Sequence, residues 1–400
     1  MPLRRKLIWV AILYFAQGFP FGIVIDNLPV YFRLHGVSRE DIGLMSLLGL
    51  PWALKVLWAP LVDRLGHTRR WIASALLAMC VLVAALPGFD ASAPSRALWA
   101  LLFALTVASA TQDIAIDAYT IGLVDPGEEG VANGIRVSAF RAALILAGGG
   151  LVAIAGYAGW PAVFATAAGV FGLLAAVASR APSITVEAGP RPRWLPSFRA
   201  WLSRPGAAWV FLFVLTYKLG DASMGPMVKP FWVDRGLSVA EIGLISTTLG
   251  VALSVAGALC GGAFTSRVGI FPSLWMLGLA QAFSNLGYAA AAASGSGRVG
   301  IYAASALESF TGGLGTAAFL AFLMRACDKE QAATQYALLS ALFGLTRSLA
   351  GAVSGFGAVR LGYAWYFVFT FFLSFPAYLL LPWVHAWSGG DQGRLHTAAT

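Results

Sequence analysis

Long apolar runs, each close to the length of a membrane crossing, recur along this 400-residue chain with short polar breaks between them. Twelve can be marked, at 7–33, 41–62, 71–88, 97–122, 131–157, 160–179, 207–233, 240–263, 270–294, 299–324, 331–358 and 362–387. Roughly 20 apolar residues cross about 30 Å of hydrocarbon as a helix. A membrane barrel would instead alternate apolar and polar residues in segments of about ten. The runs are continuous, so they predict helices. The opening "MPLRRKLIWVAILYFAQG" starts like a signal peptide, but its apolar run continues to about Phe32 with no small-residue cleavage site. It predicts an uncleaved first span. The longest polar, Pro-rich stretch falls between the sixth and seventh runs and reads as a linker. The predicted organisation is a six-helix bundle over 1–179, a cytoplasmic linker over 180–206, a second bundle over 207–388 and a cytoplasmic tail over 389–400.

The two halves repeat. "HGVSREDIGLMSLLG" (35–49) matches "RGLSVAEIGLISTTLG" (235–250) at an offset of 200 residues. "DRLG" (63–66) answers "SRVG" (266–269), and "GWPAVFAT" (159–166) answers "YAWYFVFT" (363–370), both at offsets near 203. A repeat of whole six-helix halves resembles the major facilitator superfamily, whose solute site lies near the midplane between the halves. The expected fold is therefore an all-α polytopic membrane protein of twelve transmembrane helices in two pseudo-symmetric halves.

Composition agrees with a lipid solvent. Hydrophobic residues make up 58% and charged residues 11% of the chain, against about 45–50% and 25% in soluble domains. The net charge of +9 lies mostly in short loops, where it reads as topology rather than as a nucleic-acid surface. With the N-terminus inside, 15 Lys and Arg fall on the cytoplasmic side and 6 outside, leaving 6 of the 27 within spans. That bias predicts both termini in the cytoplasm. The three cysteines, Cys80, Cys260 and Cys327, are widely spaced, and the four histidines do not cluster. Neither a disulfide framework nor a metal site is expected.

Eleven ionisable residues lie within spans: Asp26, Lys55, Asp113, Asp117, Arg136, Arg141, Lys218, Asp221, Lys229, Glu308 and Arg347. Each costs about 2.5–3.5 kcal/mol at a helix centre in lipid, so each should face protein or an aqueous cavity. Asp113 and Asp117 stand four apart and share one helix face. Depth matches Asp117 with Arg136 and Asp113 with Arg141. The two arginines are five residues apart, roughly 140° around a helix, so both pairs cannot be equally good. Lys218 and Asp221 share a face at i, i+3, and Lys55 lies where it can pair or reach the inner interface. A carboxylate in the cavity is available to carry a proton, with Asp113 first, then Asp221, Glu308 and Asp26. Arg141, Lys218, Lys229 and Arg347 form a candidate anion-binding set. Gln17 and Gln112, with Gln281, Asn285 and Gln335, offer amides to a solute or join spans to each other. Asp117, Arg136 and Lys55 read as structural charge partners. Trp52, Trp58 and Trp71 are assigned no chemistry. "GGLGTAAF" (312–319) lies inside a span and reads as small-residue packing. A phosphate loop, a Ser-His-Asp arrangement and a metal cluster are all missing from the sequence, so neither an enzyme nor a cofactor is expected.

Two stretches narrow the resemblance. "GLPWALKVLWAPLVDRLGHTRRW" (49–71) and "ATQDIAIDAYTIGLVDPGEEG" (110–130) resemble the AmpG-type muropeptide permeases and the related acetyl-CoA transporters. "YFAQGFP" (14–20) is similar to their first-span opening. Asp63, Arg64, Gly66, Arg69 and Arg70 fit the superfamily's cytoplasmic gate loop, although Ala59-Pro60 stands where a glycine is usual. The resemblance implies a secondary transporter of the bacterial inner membrane. Its partners would be protons, lipid and a bulky polar, anionic small molecule such as a muropeptide, with no nucleic acid and a monomeric chain. A siderophore or CoA-thioester-like anion is the alternative cargo. A transporter-like sensor that does not turn over is a third reading, which the intact gate loop disfavours.

Overall fold

The computed structural model describes residues 1–65, 67–125, 128–183, 199, 201–295, 297–327 and 332–388, with backbone alone at 63–65, 129–130, 332–334, 386 and 388. All regular structure among them is helical. Seven stretches are long and apolar enough to cross a membrane: Leu3–Leu34, Thr68–Gly88, Arg96–Leu123, Val131–Ala178, Val239–Val268, Gly297–Arg325 and Gln335–His385. Val131–Ala178 and Gln335–His385 hold 48 and 51 residues, and at 1.5 Å per residue such a rod would be about two and a half times the hydrocarbon thickness. Each bends instead at a glycine in the left-handed region, Gly159 (φ 77°) and Gly362 (φ 72°). A side chain there would be strained, whereas glycine reverses the path freely. Gly159 opens the first of the repeated segments near offset 203, and Gly362 immediately precedes the second.

Several runs read as continuous helices are interrupted. The second run contains 3₁₀ turns at Met45–Gly49 and Lys55–Leu57. Pro51 and Pro60 lack the N–H groups that would bond back to residues 47 and 56. The seventh run breaks between Ala207–Thr216 and Leu219–Asp234, with Tyr217 and Lys218 in the gap. The first, fifth and eighth carry π-helical stretches at Ile23–Asn27, Ile145–Gly150 and Ile242–Leu249.

The chain divides into two compact units. The first comprises Met1–Ser38, Leu48–Pro190 and Trp232–Thr248; the second comprises Arg39–Leu47, Arg191–Phe231 and Leu249–Thr400. The units thus exchange short pieces relative to the two sequence halves. Each exchange ends inside an irregular stretch, at Leu47/Leu48 within Met45–Gly49 and at Thr248/Leu249 within Ile242–Leu249. The repeated Ile-Gly-Leu explains the packing of both pieces. A Cβ at Gly43 would fall 2.7 Å from the Gly355 nitrogen, and one at Gly243 would fall 2.5 Å from the Gly149 oxygen.

Within the first unit, Leu3–Gly22 packs along Glu129–Leu144, and Thr68–Ala85 packs on both Arg96–Leu123 and Leu151–Ala178. In the second, Gly297–Arg325 packs on Gly250–Val268 and Ile270–Ala293. Its buried core gathers the aromatic residues Phe213, Phe319, Phe322, Trp201 and Trp387. Trp201 lies in the stretch expected to be a solvated linker, yet it is buried and its indole donates to the Ala326 carbonyl at 3.1 Å. Trp387 donates to the Pro205 carbonyl at 3.3 Å, beneath the Arg204 guanidinium. Burying two indoles outweighs the charge of their neighbours, so residues 201–206 belong to the second unit's core. The expected tail, 389–400, and residues 184–198 of the linker lie outside the described residues.

Candidate functional site

The Arg96–Leu123 helix carries the polar residues of the first unit. Asp113 and Asp117 face Lys55, whose ammonium lies 3.4 Å from Asp113 Oδ2 and 3.5 Å from Asp117 Oδ2. The 3₁₀ turn at Lys55–Leu57 places it between the two acids. Asp117 also accepts from the Tyr14 hydroxyl at 2.8 Å and lies 3.6 Å from Arg136 Nη2. Arg136 in turn stands 4.6 Å over the Tyr14 ring. Two acids and two bases balance. The expected Asp113–Arg141 pair is not formed, because Lys55 occupies the position facing Asp113. Arg141 is half-buried and has no hydrogen bond or ion pair among the described residues.

Trp52 and Trp58, assigned no chemistry from sequence, brace this cluster. Their indoles donate to Ser109 Oγ and Thr111 Oγ1, both at 3.2 Å. Gln112 is fully buried and donates to the Ala16 carbonyl at 3.3 Å. Gln17 is buried beside Asp113. One oxygen each of Gln17, Gln112 and Asp113 is buried without a hydrogen-bond partner. Asp26 lies in the π-helical stretch Ile23–Asn27, where its Oδ2 fills the space a Cβ on Gly148 would need. The adjacent Asn27 donates to the Ala147 carbonyl at 2.6 Å, tying the first helix to the fifth.

In the second unit, Lys218 sits in the helix gap, 2% exposed. That gap removes the i, i+3 relation expected with Asp221, and the two make no ion pair. Lys218 Nζ donates to Gln281 Oε1 at 2.5 Å and Thr316 Oγ1 at 3.0 Å. Asp221 lines a small polar chamber with Tyr217, Gln281, Asn285, Ser374 and Tyr378. Asn285 donates to Thr370 Oγ1 at 3.2 Å. Glu308 is half-buried on Gly297–Arg325, Lys229 is buried on Leu219–Asp234, and Arg347 is exposed on Ala332–Phe372. Gln335 is buried on that last helix.

At the gate loop, the side chains of Asp63 and Arg64 and all of Gly66 lie outside the described residues. Arg69 donates to the Ala181 carbonyl at 3.1 Å, and Tyr119 to the Pro182 carbonyl at 2.9 Å. Arg69 thereby ties parts of the first unit together, while Arg70 is exposed. Near the start of the chain, Lys6 is buried and bonds Asp125 at 2.5 Å and Glu128 at 2.7 Å. Those bonds hold both carboxyls below their usual range. Since the folded values lie below the unfolded ones near pH 4, their stabilisation is complete above about pH 5 and is lost as pH falls through the folded values. Lys6→Met should therefore flatten the acid limb of a thermal-melt profile in detergent; an unchanged limb would show that the contact does not stabilise the fold.

A second pair was invisible to charge counting. Arg33 grips Asp234 with two hydrogen bonds, at 2.6 and 2.8 Å, while a third donor reaches the Val37 carbonyl. The offset of 200 residues places 33 opposite 233 and offered the only clue in the sequence.

Comparison with known proteins agrees with this architecture. The model of the Major Facilitator Superfamily matches residues 10–302. The anhydromuropeptide permease of Escherichia coli (strain K12) is 30% identical over 384 residues, covering 92% of this chain and 78% of that protein. The Rickettsia felis protein AmpG 4 is 26% identical over 404 residues, covering 95% and 96%. Among solved structures, the nucleoside transporter NupG superposes with a TM-score of 0.75 at 16% identity, covering 97% of this chain and 99% of that one. The POT family transporter PepTSo does so at 0.75 and 11%, covering 96% and 98%. Both share the fold alone. An all-helical chain of repeated halves, matched over most of its length by the family model and over more than nine-tenths by a permease, belongs to the Major Facilitator Superfamily and is a membrane transporter resembling the AmpG-type permeases.

Proposed function

We propose that this transporter imports a bulky polar, anionic solute of the muropeptide kind, coupled to protons, across the bacterial inner membrane. It does so in twelve passes with both termini in the cytoplasm. The permease relative and the excess of basic residues on one set of loops support that reading. The observation that carries it is Arg141, a half-buried guanidinium with no described counter-charge on a helix whose other arginine faces Asp117. A cation left uncompensated inside a span is costly. A carboxylate or phosphate of the solute would complete it with two parallel hydrogen bonds.

Siderophores and CoA thioesters are anionic too, so Arg141 serves them equally and the cargo must be separated by competition. Tritiated anhydromuropeptide should bind the purified protein at equilibrium and be displaced by unlabelled anhydromuropeptide, but not by acetyl-CoA or a ferric siderophore. Displacement by either of those would reassign the cargo. No binding of any of the three would contradict the reading.

A further inference from the structure

The glycines at 312–315 do two jobs. A Cβ at Gly313 would fall 2.1 Å from the Ser254 carbonyl oxygen, so this glycine packs the Gly297–Arg325 helix against Gly250–Val268. A Cβ at Gly315 would fall 2.3 Å from Gln281 Oε1, so the bare backbone there is the seat of the Gln281 amide. That oxygen accepts from Lys218 Nζ at 2.5 Å. An ammonium donates and cannot accept, so the amide must present its oxygen to Lys218 and turn its nitrogen away. Gln281 Nε2 is indeed buried without an acceptor. Across Gly312, a Cβ would stand 3.9 Å from that nitrogen and 3.8 Å from Glu308 Oε1, so the amide and the carboxyl flank one point.

The charged groups acting on Glu308 are Asp221, Lys218 and Lys229, with the Ser309 hydroxyl donating at 3.4 Å. Among the described residues, Lys218 has no carboxylate within 4.0 Å, and neither Asp221 nor Glu308 has a cation within that distance. Asp113 and Asp117, by contrast, share Lys55. A carboxyl that no cation contacts has no opposite charge beside it to favour its ionised form.

We propose that Gln281 is a positioning residue: its amide oxygen holds Lys218 away from Asp221 and Glu308, leaving this acid pair free to bind the transported proton. The inference rests on the proton-coupled reading above. The proton adds to a carboxylate oxygen and leaves from it, with no other bond made or broken.

Removing the amide should release Lys218 toward the acids, and an opposite charge in contact lowers a carboxyl's proton affinity by about one pH unit or more. The test is a pH titration of purified protein followed by the infrared C=O band of the protonated carboxyl, which needs no solute. In wild type the band should titrate, and Glu308→Gln should remove or strongly reduce it. Gln281→Leu should move its midpoint to lower pH by about one unit. Gly315→Ala, which keeps Gln281 but displaces its amide, should do the same. Adding Lys218→Met to Gln281→Leu should return the midpoint, since the ammonium is gone.

Midpoints unmoved in both Gln281→Leu and Gly315→Ala would overturn the role of Gln281, as would a shift that survives Lys218→Met. A band unchanged in the Glu308→Gln, Asp221→Asn double variant would overturn the assignment of the proton to these acids. A band that titrates and shifts as expected in a protein whose transport ignores a pH gradient would uphold the site and defeat only the coupling reading.

Discussion

Lys55→Met should be among the most damaging single substitutions in the first unit. It removes the cation lying between Asp113 and Asp117 and leaves two carboxylates four residues apart with only Arg136 beside one of them. Breaking a fully buried pair costs about 3–5 kcal/mol. The ammonium and Asp117 are each about a third exposed, so solvent screening should reduce the loss to about 2 kcal/mol. Asp113→Asn alone should cost less, because Asp117 still faces Lys55. Combining the two changes should recover much of the loss, since the excess negative charge is then removed. Thermal melts of the four proteins in detergent form the double-mutant cycle that measures this coupling. Additive losses, or a Lys55→Met protein as stable as wild type, would show that the cluster does not hold the unit together.

Arg141→Gln should show the opposite signature. Arg141 has no described partner whose charge it balances, so its removal should leave the melting temperature unchanged or raise it. Anhydromuropeptide affinity should nevertheless fall by about 10- to 100-fold, the equivalent of roughly 1.4–2.8 kcal/mol for a lost charge-assisted contact. Arg141→Lys should restore only part, because an ammonium cannot make the planar two-pronged contact. A stabilised protein that binds poorly is the mark of a residue kept for ligand rather than for fold. Lost stability with unchanged affinity would place Arg141 among the structural charges.

The helical architecture was legible because lipid leaves few options: continuous apolar runs, scarce charge and a repeat at 200 residues all point to one fold. Aspects that depend on side-chain reach were less legible. Depth along the fourth and fifth runs matched Asp117 with Arg136, and the two stand 3.6 Å apart. Depth alone could not see that a 3₁₀ turn delivers Lys55 to Asp113, or that a helix gap turns Lys218 toward Gln281. The i, i+3 argument for Lys218 and Asp221 presumed an unbroken helix, and residues 217–218 break it. Trp201 illustrates a different limit: a stretch rich in Pro and Arg reads as solvated, although its tryptophan is part of a core. The glycines at 312–315 were recognisable as packing, but the amide they seat lies some 30 residues away in sequence and could be found only in three dimensions.

The central claim is that a proton gradient drives an anionic muropeptide inward through this chain. It is tested most directly in proteoliposomes loaded at neutral pH, diluted into acidic buffer with tritiated anhydromuropeptide and sampled over time. The account predicts accumulation above the external concentration, abolished by a protonophore and absent in Glu308→Gln, while that variant still exchanges labelled for unlabelled solute. Equilibration without accumulation, indifferent to the imposed gradient, would contradict it.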